Sequence, residues 1–434
     1  MWLRDLLAAH KAGQPVGTPS LCTAHPEVLR IALRYAAARG LPLLIESTSN
    51  QVNQYGGYTG LKPRDFVAFL HRMAQEEGFP QERLVLGGDH LGPHVWRDRP
   101  AEAAMREAEV LVRAYVEAGY RKIHLDCSMA LGGDPPVPTP EAVAERTARL
   151  AAVAEAAHQA VGGPPPVYVV GTEVPPPGGA QEHEDTVPPT RVEDARRTLE
   201  VMRAAFRRRG LDAVWERVVA LVVQPGVEFG DDFVVSYRPA AARGLARLIE
   251  AWPLVYEAHS TDYQTRAALR HLVRDHFAIL KVGPALTFAY REALFGLAAI
   301  ERHLVPPEAR AYLVEVVDEE MLADPRHWAR YYHGTPREQA WKRRYSFSDR
   351  IRYYWPRPRV QAARQRLLAN LEAVTLPLPL LGQYLPRQYD AVQAGRLEPR
   401  PQALLAHAVQ RVLDDYMAAG GLLDTAPTLA GGTA

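Results

Sequence analysis

Short apolar, β-branched runs recur along the chain, and each ends in small or polar residues. Eight stand out: Ser20 to Thr23, Leu43 to Ser47, Leu84 to His90, Lys122 to Asp126, Val167 to Glu173, Ala220 to Gln224, Leu254 to His259 and Ile279 to Gly283. Between them lie Ala/Arg/Glu/Leu-rich stretches with helical spacing of apolar residues. Pro26 to Arg39, Pro63 to Glu77, Pro100 to Ala118 and Pro140 to Ala160 come first, then Arg191 to Arg209, Pro239 to Glu250 and Gln264 to Asp275. Strands alternating with helices predict right-handed βαβ units and a parallel sheet. Eight units over about 280 residues predict an α/β fold of the (β/α)8 TIM-barrel type. An open doubly wound sheet is the alternative. It usually carries a nucleotide loop, and neither G-x-G-x-x-G after a strand nor G-x-x-x-x-G-K-[ST] occurs.

After Gly283 the rhythm stops. The remainder reads as helices broken at Pro306-Pro307, Pro325, Pro336 and Pro356, and the tail from Thr425 is small and polar. The expected organisation is a barrel over 1–285 and a helical C-terminal extension over 286–434 that leans over the barrel mouth. Composition agrees with a globular chain: of 434 residues 47% are hydrophobic and 23% charged, with a formal charge of +1. That balance argues against nucleic acid or an anionic membrane as partner. No uncharged apolar run is long enough to span a bilayer, and the Met1–Leu7 segment reads as an amphipathic helix. Two cysteines, Cys22 and Cys127, exclude a disulfide scaffold and fit a reducing cytoplasm. Five lysines leave 46 of 51 basic residues as arginine, and 36 prolines accompany them. A thermophile and a GC-rich genome explain that bias equally.

In a barrel the site lies at the carboxyl ends of the strands. Glu46, Ser47, Asp89, His90, Asp126, Ser128, Glu173, Gln224, His259, Lys281 and Gly283 are expected to converge there. Such a mixed N/O set suits a zinc-like or manganese-like divalent ion with open positions for substrate. Each residue also has a structural reading. His90 can be a loop histidine, His259 a satisfied core histidine, and Glu173 or Asp126 a helix cap. His124 shares a face with Asp126 but can be barrel filling one layer deeper. Gln224 is a weak ligand and suits substrate hydrogen bonding better. Lys281 admits a Schiff base or an ion pair with a neighbouring strand.

The loop Pro175 to Asp185 is long for a βα connection and reads as a surface excursion or a lid. The stretch Trp341 to Trp355 mixes basic and aromatic residues. A helix start capped by Ser346 or Ser348 is the expectation there, with a phosphate or sugar contact from Arg350 or Ser348 as the functional option.

Five motifs carry a family resemblance: Glu46 to Gly60 (ESTSNQVNQYGGYTG), Gly87 to Pro93, Lys122 to Asp126, Gly171 to Pro175, and Tyr345 to Trp355. Together they resemble the tagatose-bisphosphate aldolase accessory-subunit family of the GatZ/KbaZ type. The resemblance implies a barrel related to class II aldolases, in which an Asp-His pair ends strand three and a second zinc histidine ends strand seven. Asp89-His90 and His259 match these. Gln224 stands where those aldolases have a third zinc histidine, and Gly283-Pro284 stands near their phosphate-binding Asn. The resemblance therefore implies metal ligation by His90 and His259, completed by Glu173 and then Gln224, with Zn2+ first and Mn2+, Ni2+ or Co2+ as options. Asp89, Glu173 and Asp126 are the expected catalytic carboxylates. Substrate contacts fall to Glu46, Ser47, Asn50, Gln51, His124, Ser128, Gln181, Ser260, Lys281 and Arg350.

Two functions follow from the resemblance. One is a metal-dependent 4-epimerase interconverting fructose and tagatose, free or 6-phosphorylated. C4 of a 2-ketose is not acidified by the C2 carbonyl, so inversion there needs oxidation or cleavage and remaking of C3–C4. Without a dinucleotide fingerprint, the aldol route is expected, with a metal as Lewis acid and a carboxylate moving the C4 hydroxyl proton. The other is a non-catalytic subunit stabilising a class II D-tagatose-1,6-bisphosphate aldolase. A sugar kinase is disfavoured by the missing nucleotide loop. The expected partners are a ketohexose or its phosphate, an aldolase subunit, and a second copy of the chain.

Overall fold

The computed structural model describes residues 1–171 and 187–423. Eight parallel strands form a closed barrel: β1 (Thr18–Cys22), β2 (Leu43–Thr48), β3 (Leu84–Leu91), β4 (Lys122–Leu125), β5 (Val167–Val170), β6 (Val218–Val222), β7 (Val255–Ala258) and β8 (Phe277–Val282). Each strand lies beside its sequence neighbours, and β8 closes on β1 with Thr18 opposite Ile279. Near-continuous burial along these strands is what a parallel sheet covered on both faces requires. This is the (β/α)8 architecture expected from the alternation.

The helices between strands start and stop on local chemistry. In the helix Pro26–Arg39, the His25 ring accepts the Val28 amide at 3.3 Å and Pro26 fills the first turn. Gly40, at φ +65°, ends it. Thr139 caps the helix Pro140–Val161 in the same way. At the amino-terminal end of the barrel the helix Trp2–Lys11 buries Leu3, Leu6 and Leu7, and Lys11 Nζ donates to the Ile249 carbonyl at 2.8 Å.

The helix Pro284–Leu304 leaves β8 directly and spans the expected 285/286 boundary. Its Leu286, Leu294 and Leu297 share one hydrophobic core with the barrel strands. Beyond it lie the helices Leu313–Ala323, Pro336–Tyr345, Pro358–Glu372, Leu378–Tyr384, Pro386–Gln393 and Pro401–Ala419. Proline begins four of them, at Pro336, Pro358, Pro386 and Pro401, because its missing N–H costs nothing in a first turn. The last helix returns to pack on Pro26–Arg39 and Pro284–Leu304, and the Tyr416 hydroxyl donates to the Thr261 carbonyl at 2.7 Å.

The helix start expected at Ser346 or Ser348 does not form there. The helix Pro336–Tyr345 begins at Thr335, whose hydroxyl pairs reciprocally with Glu338 in a capping box, and it ends before Ser346. A single 3-10 turn, Arg350–Tyr353, follows. It is entered through Asp349 at φ +45°, a conformation held by Thr287 Oγ1 at 2.6 Å and Arg291 Nε at 3.1 Å. A two-stranded ribbon after β6, Glu228–Phe229 with Val234–Val235, docks on this segment. The Phe347 amide donates to the Asp231 carbonyl at 2.9 Å, and Lys342 pairs with the Asp231 carboxylate at 3.1 Å. The C-terminal portion is thereby brought over the barrel mouth.

Candidate metal and ketose site

Adjacent residues of a strand normally point to opposite faces, so Asp89 and His90 should diverge. A bulge prevents this. β3 pairs Gly87 with Lys122 and Gly88 with Ile123, then resumes only at Leu91 with Leu125. Two residues, Asp89 and His90, therefore face His124 alone, and His90 takes the left-handed conformation at φ +48°. Both side chains turn inward. Gly92 then passes so close to β4 that a Cβ there would meet the Asp126 carbonyl at 1.7 Å, so only glycine fits.

Three imidazoles converge at this point, from β3, β4 and the end of β7. Their ring centroids are 5.1 Å apart for His90–His124, 4.9 Å for His90–His259 and 5.2 Å for His124–His259. Asp89, His90, His124 and His259 each offer a ligand atom, and these atoms lie within 4.8 Å of one another. Each ring also rests on a carboxylate: His90 Nδ1 on Asp126 Oδ2 at 2.7 Å, His124 Nδ1 on Asp89 Oδ1 at 2.9 Å, and His259 Nε2 on Glu257 Oε1 at 3.0 Å. A carboxylate behind one ring nitrogen fixes orientation and leaves the other nitrogen free to ligate.

Below the histidines lies a buried ionic layer. Lys122 Nζ sits 2.5 Å from both Glu46 Oε1 and Glu257 Oε2, and all three side chains are sealed from solvent. Lys281 bridges Glu46 and Asp89, the latter at 2.7 Å. Gly87 leaves the room this layer needs, since a Cβ there would meet Glu46 Cγ at 2.6 Å. Burial disfavours charge on Asp89, Glu257, Lys122 and Lys281, but the opposite charges outweigh it. The carboxyls of Asp89 and Glu257 are held well below the usual range, and the Lys281 ammonium well above its own. Lys281 is thus held as an ion-pairing cation, the structural alternative to a Schiff base.

The residues present fit a divalent cation on three counts. The buried, hydrogen-bond-free His124 Nε2 belongs to one of the grouped ligand residues. Three carboxylates (Glu46, Asp89, Glu257) share two ammonium groups, and a fourth, Asp126, rests on His90, so among the described residues of the cluster carboxylates outnumber ammonium groups. Three nitrogens at about 2 Å from a tetrahedral ion would place their rings about 5 Å apart, as they are. Burial disfavours a proton on His90, yet Asp89 and Asp126 raise its pKa, which reflects the same demand for positive charge. Burial pushes His259 down to about 3, so it stays neutral with a lone pair to offer.

Of the expected site residues, Asn50, Gln51, Asp89, His90, His259, Ser260, Lys281, Gly283 and Arg350 line one cleft of about 290 Å³ at the barrel mouth. The others lie elsewhere. Glu46 belongs to the buried ionic layer and not to the substrate surface. Ser47 points outward from the barrel and bonds the hydroxyls of Tyr115 and Tyr120 at 3.1 and 3.0 Å. Asp126 orients His90, and Ser128 bonds Asp126 at 2.7 Å. His124, expected at the substrate, joins the ligand cluster. The Gln224 side-chain Oε1 accepts from the amides of Gly226 and Val227 at 2.8 and 3.0 Å, so it shapes a turn in place of ligating. Glu173, Gln181 and the loop Pro175 to Asp185 lie outside the described residues.

Glu257, Lys122, Cys22, Asp262 and Arg352 were not singled out from the sequence. For Lys122 and Glu257 a signal existed: each stands two residues before a cluster histidine, hence on the same inward face.

A closed parallel barrel with a carboxylate-backed histidine cluster and a polar cleft at its mouth defines a metal-competent (β/α)8 protein. The chain belongs to the GatZ/KbaZ-like family of D-tagatose-1,6-bisphosphate aldolase subunits, whose model matches residues 3–421. It is 51% identical to the D-tagatose-1,6-bisphosphate aldolase subunit GatZ of Salmonella dublin over 414 residues, covering 95% of this chain and 98% of the relative. The Klebsiella pneumoniae protein of the same name is 50% identical over the same lengths. A crystal structure described as a probable tagatose 6 phosphate kinase from Sinorhizobium meliloti 1021 superposes with a TM-score of 0.85. It is 47% identical, over 93% of this chain and 100% of that one. Among the described residues no helix is long and apolar enough to cross a membrane.

Proposed function

We propose that the chain is a subunit of a D-tagatose-1,6-bisphosphate aldolase and that its own barrel holds a metal-dependent ketose site. The 51% identity to aldolase subunits across nearly the full length of both chains carries the first part. It favours the subunit reading over free-standing epimerisation, reversing the order drawn from the motifs. The convergence of His90, His124 and His259 supports the second part. The kinase description of the Sinorhizobium relative is not adopted, because the sequence offers no nucleotide-binding loop.

His90, His124 and His259 would hold the ion, with Asp89 beside them. When bound, a divalent cation supplies Lewis-acid polarisation of the ketose carbonyl, and zinc suits this nitrogen-rich set. Asp89 is the carboxylate of the cluster that also faces the cleft. It accepts the C4 hydroxyl proton as C3–C4 breaks and returns it when the bond re-forms. Lys281, 2.7 Å from Asp89, keeps that carboxylate ionised before the transfer. Asn50, Gln51 and Ser260 hydrogen-bond sugar hydroxyls from the rim. Re-addition to the opposite aldehyde face would make the same site a C4 epimerase of fructose and tagatose. The completeness of the cluster favours this as a second reading.

Co-expression with a class II aldolase subunit tests the first reading. A co-purifying complex should form, cleaving D-tagatose 1,6-bisphosphate with a longer activity half-life than the partner alone. Two separately eluting proteins and an unchanged half-life would refute it. Turnover of fructose, fructose 6-phosphate or their tagatose counterparts by the purified chain with zinc, manganese or nickel decides the second.

A further inference from the structure

The part of the cleft lining that comes from the C-terminal portion is cationic: Arg326, Arg330, Arg350 and Arg352 belong to it. Arg326 is bound to Asp324 at 2.7 Å. Among the described residues the other three form no ion pair with a carboxylate. Arg350 is only 6% exposed, its guanidinium lies 3.1 Å over the Tyr331 ring, and one terminal nitrogen donates to the His327 carbonyl at 3.1 Å. Its Nε–H is buried with no acceptor. Arg352 donates to the Asp349 carbonyl at 3.1 Å and to the Tyr353 hydroxyl at 3.0 Å. The carboxylates nearest in the fold are already used: Asp349 by Thr287 and Arg291, and Asp262 by the amides of Gly283 and Ala285 at 3.0 and 2.8 Å. A buried guanidinium with an unused donor and no counter-charge is costly unless an anion completes it.

The Asp262 contacts also close the usual alternative. The start of the helix after β8 would be an anion-binding terminus, but this chain's own carboxylate occupies those amides. An anionic ligand must therefore be held elsewhere in the cleft.

We propose that Arg350 and Arg352 form the phosphate pole of the site, binding the phosphate monoester of a phosphorylated ketose whose sugar end faces the histidine cluster. This rests on the ketose-site reading and adds which residues of this barrel hold the phosphate. A planar fork of donors matches a phosphate dianion, and the aromatic faces of Tyr331 and Tyr353 hold the forks in place.

Calorimetric titration of the full, zinc-loaded chain with D-tagatose, D-tagatose 6-phosphate, D-tagatose 1,6-bisphosphate and inorganic phosphate tests this. The phosphorylated sugars should bind at least about tenfold tighter than D-tagatose. Inorganic phosphate should compete with them, and Arg350→Met and Arg352→Met should reduce the advantage to under threefold with bound zinc unchanged. Equal affinity for free and phosphorylated sugar overturns the proposal. So does an advantage retained in both variants, or no binding of any of the four ligands. If the methionine variants do not fold, Arg350→Lys and the wild-type phosphate competition decide. Complex formation and zinc content, which do not involve these arginines, judge the ketose-site reading separately.

Discussion

Lys122 shows what one residue does in this barrel. Its ammonium is sealed between Glu46 and Glu257, both fully buried, and burial is outweighed by those two charges so that its pKa is raised. Glu257 in turn holds His259. Removing the cation leaves Glu46 and Glu257 only Lys281 to share, with Asp89, in a medium that cannot solvate them. Lys122→Met should cost about 3–5 kcal/mol in urea unfolding. The double variant Lys122→Met/Glu257→Gln should recover part of that loss, because one of these carboxylates is neutralised. Equal stability of Lys122→Met and wild type would show that the layer contributes no net electrostatic stabilisation. At this scale the sequence was only partly legible. The polar strand ends identified Asp89, His90 and His259. No local pattern announces that Asp89 and His90 share a face, because a bulge and a left-handed φ arise from pairing with β4. Gln224 and Ser47 misled for the complementary reason. Both stand at strand ends, but one is consumed by its own turn and the other faces outward.

At the scale of elements, helices were read well because their signals are local: caps, first-turn prolines and terminal glycines. His25 adds a property that the sequence did not announce. Its ring accepts the Val28 amide and so must be neutral to cap the helix Pro26–Arg39. Burial, together with the nearby Arg364 charge, pushes its pKa down to about 3. The unfolded chain binds this proton near the ordinary value of about 6.5, the folded chain only near 3. The stabilisation is complete above pH 6.5 and is lost progressively as pH falls toward 3. Thermal melts between pH 7 and 4 should show a smaller decline for His25→Asn, which caps without titrating. Parallel declines for the two proteins would remove His25 from the account. The element-level miss, at Ser346 and Ser348, is tertiary. Those hydroxyls bond Asp231 of the ribbon and Tyr332, so the segment serves as a docking strip and the helix begins earlier, at Thr335.

At the scale of the whole molecule, the alternation of eight strands and helices fixed the barrel, since each βαβ unit has one favoured hand and a parallel sheet needs cover on both faces. What it could not fix is where the C-terminal portion goes. That depends on contacts between residues far apart in sequence, such as Tyr416 with Thr261 and Lys342 with Asp231. The consequence is functional. The barrel brings the histidines, the extension brings the arginines, and the cleft exists only where the two meet. The near-zero net charge is consistent with this, since a few local groups and not a basic field line the cleft.

The claim on which the rest depends is that His90, His124 and His259 hold a divalent ion. Elemental analysis of the full chain, incubated with zinc and then dialysed, measures this directly. The account predicts about one zinc per chain, with affinity weakened at least about tenfold in His124→Ala and in His259→Ala and full content retained in Gln224→Ala. A wild-type chain that retains no zinc, or His124→Ala and His259→Ala variants that bind zinc as wild type does, would contradict it.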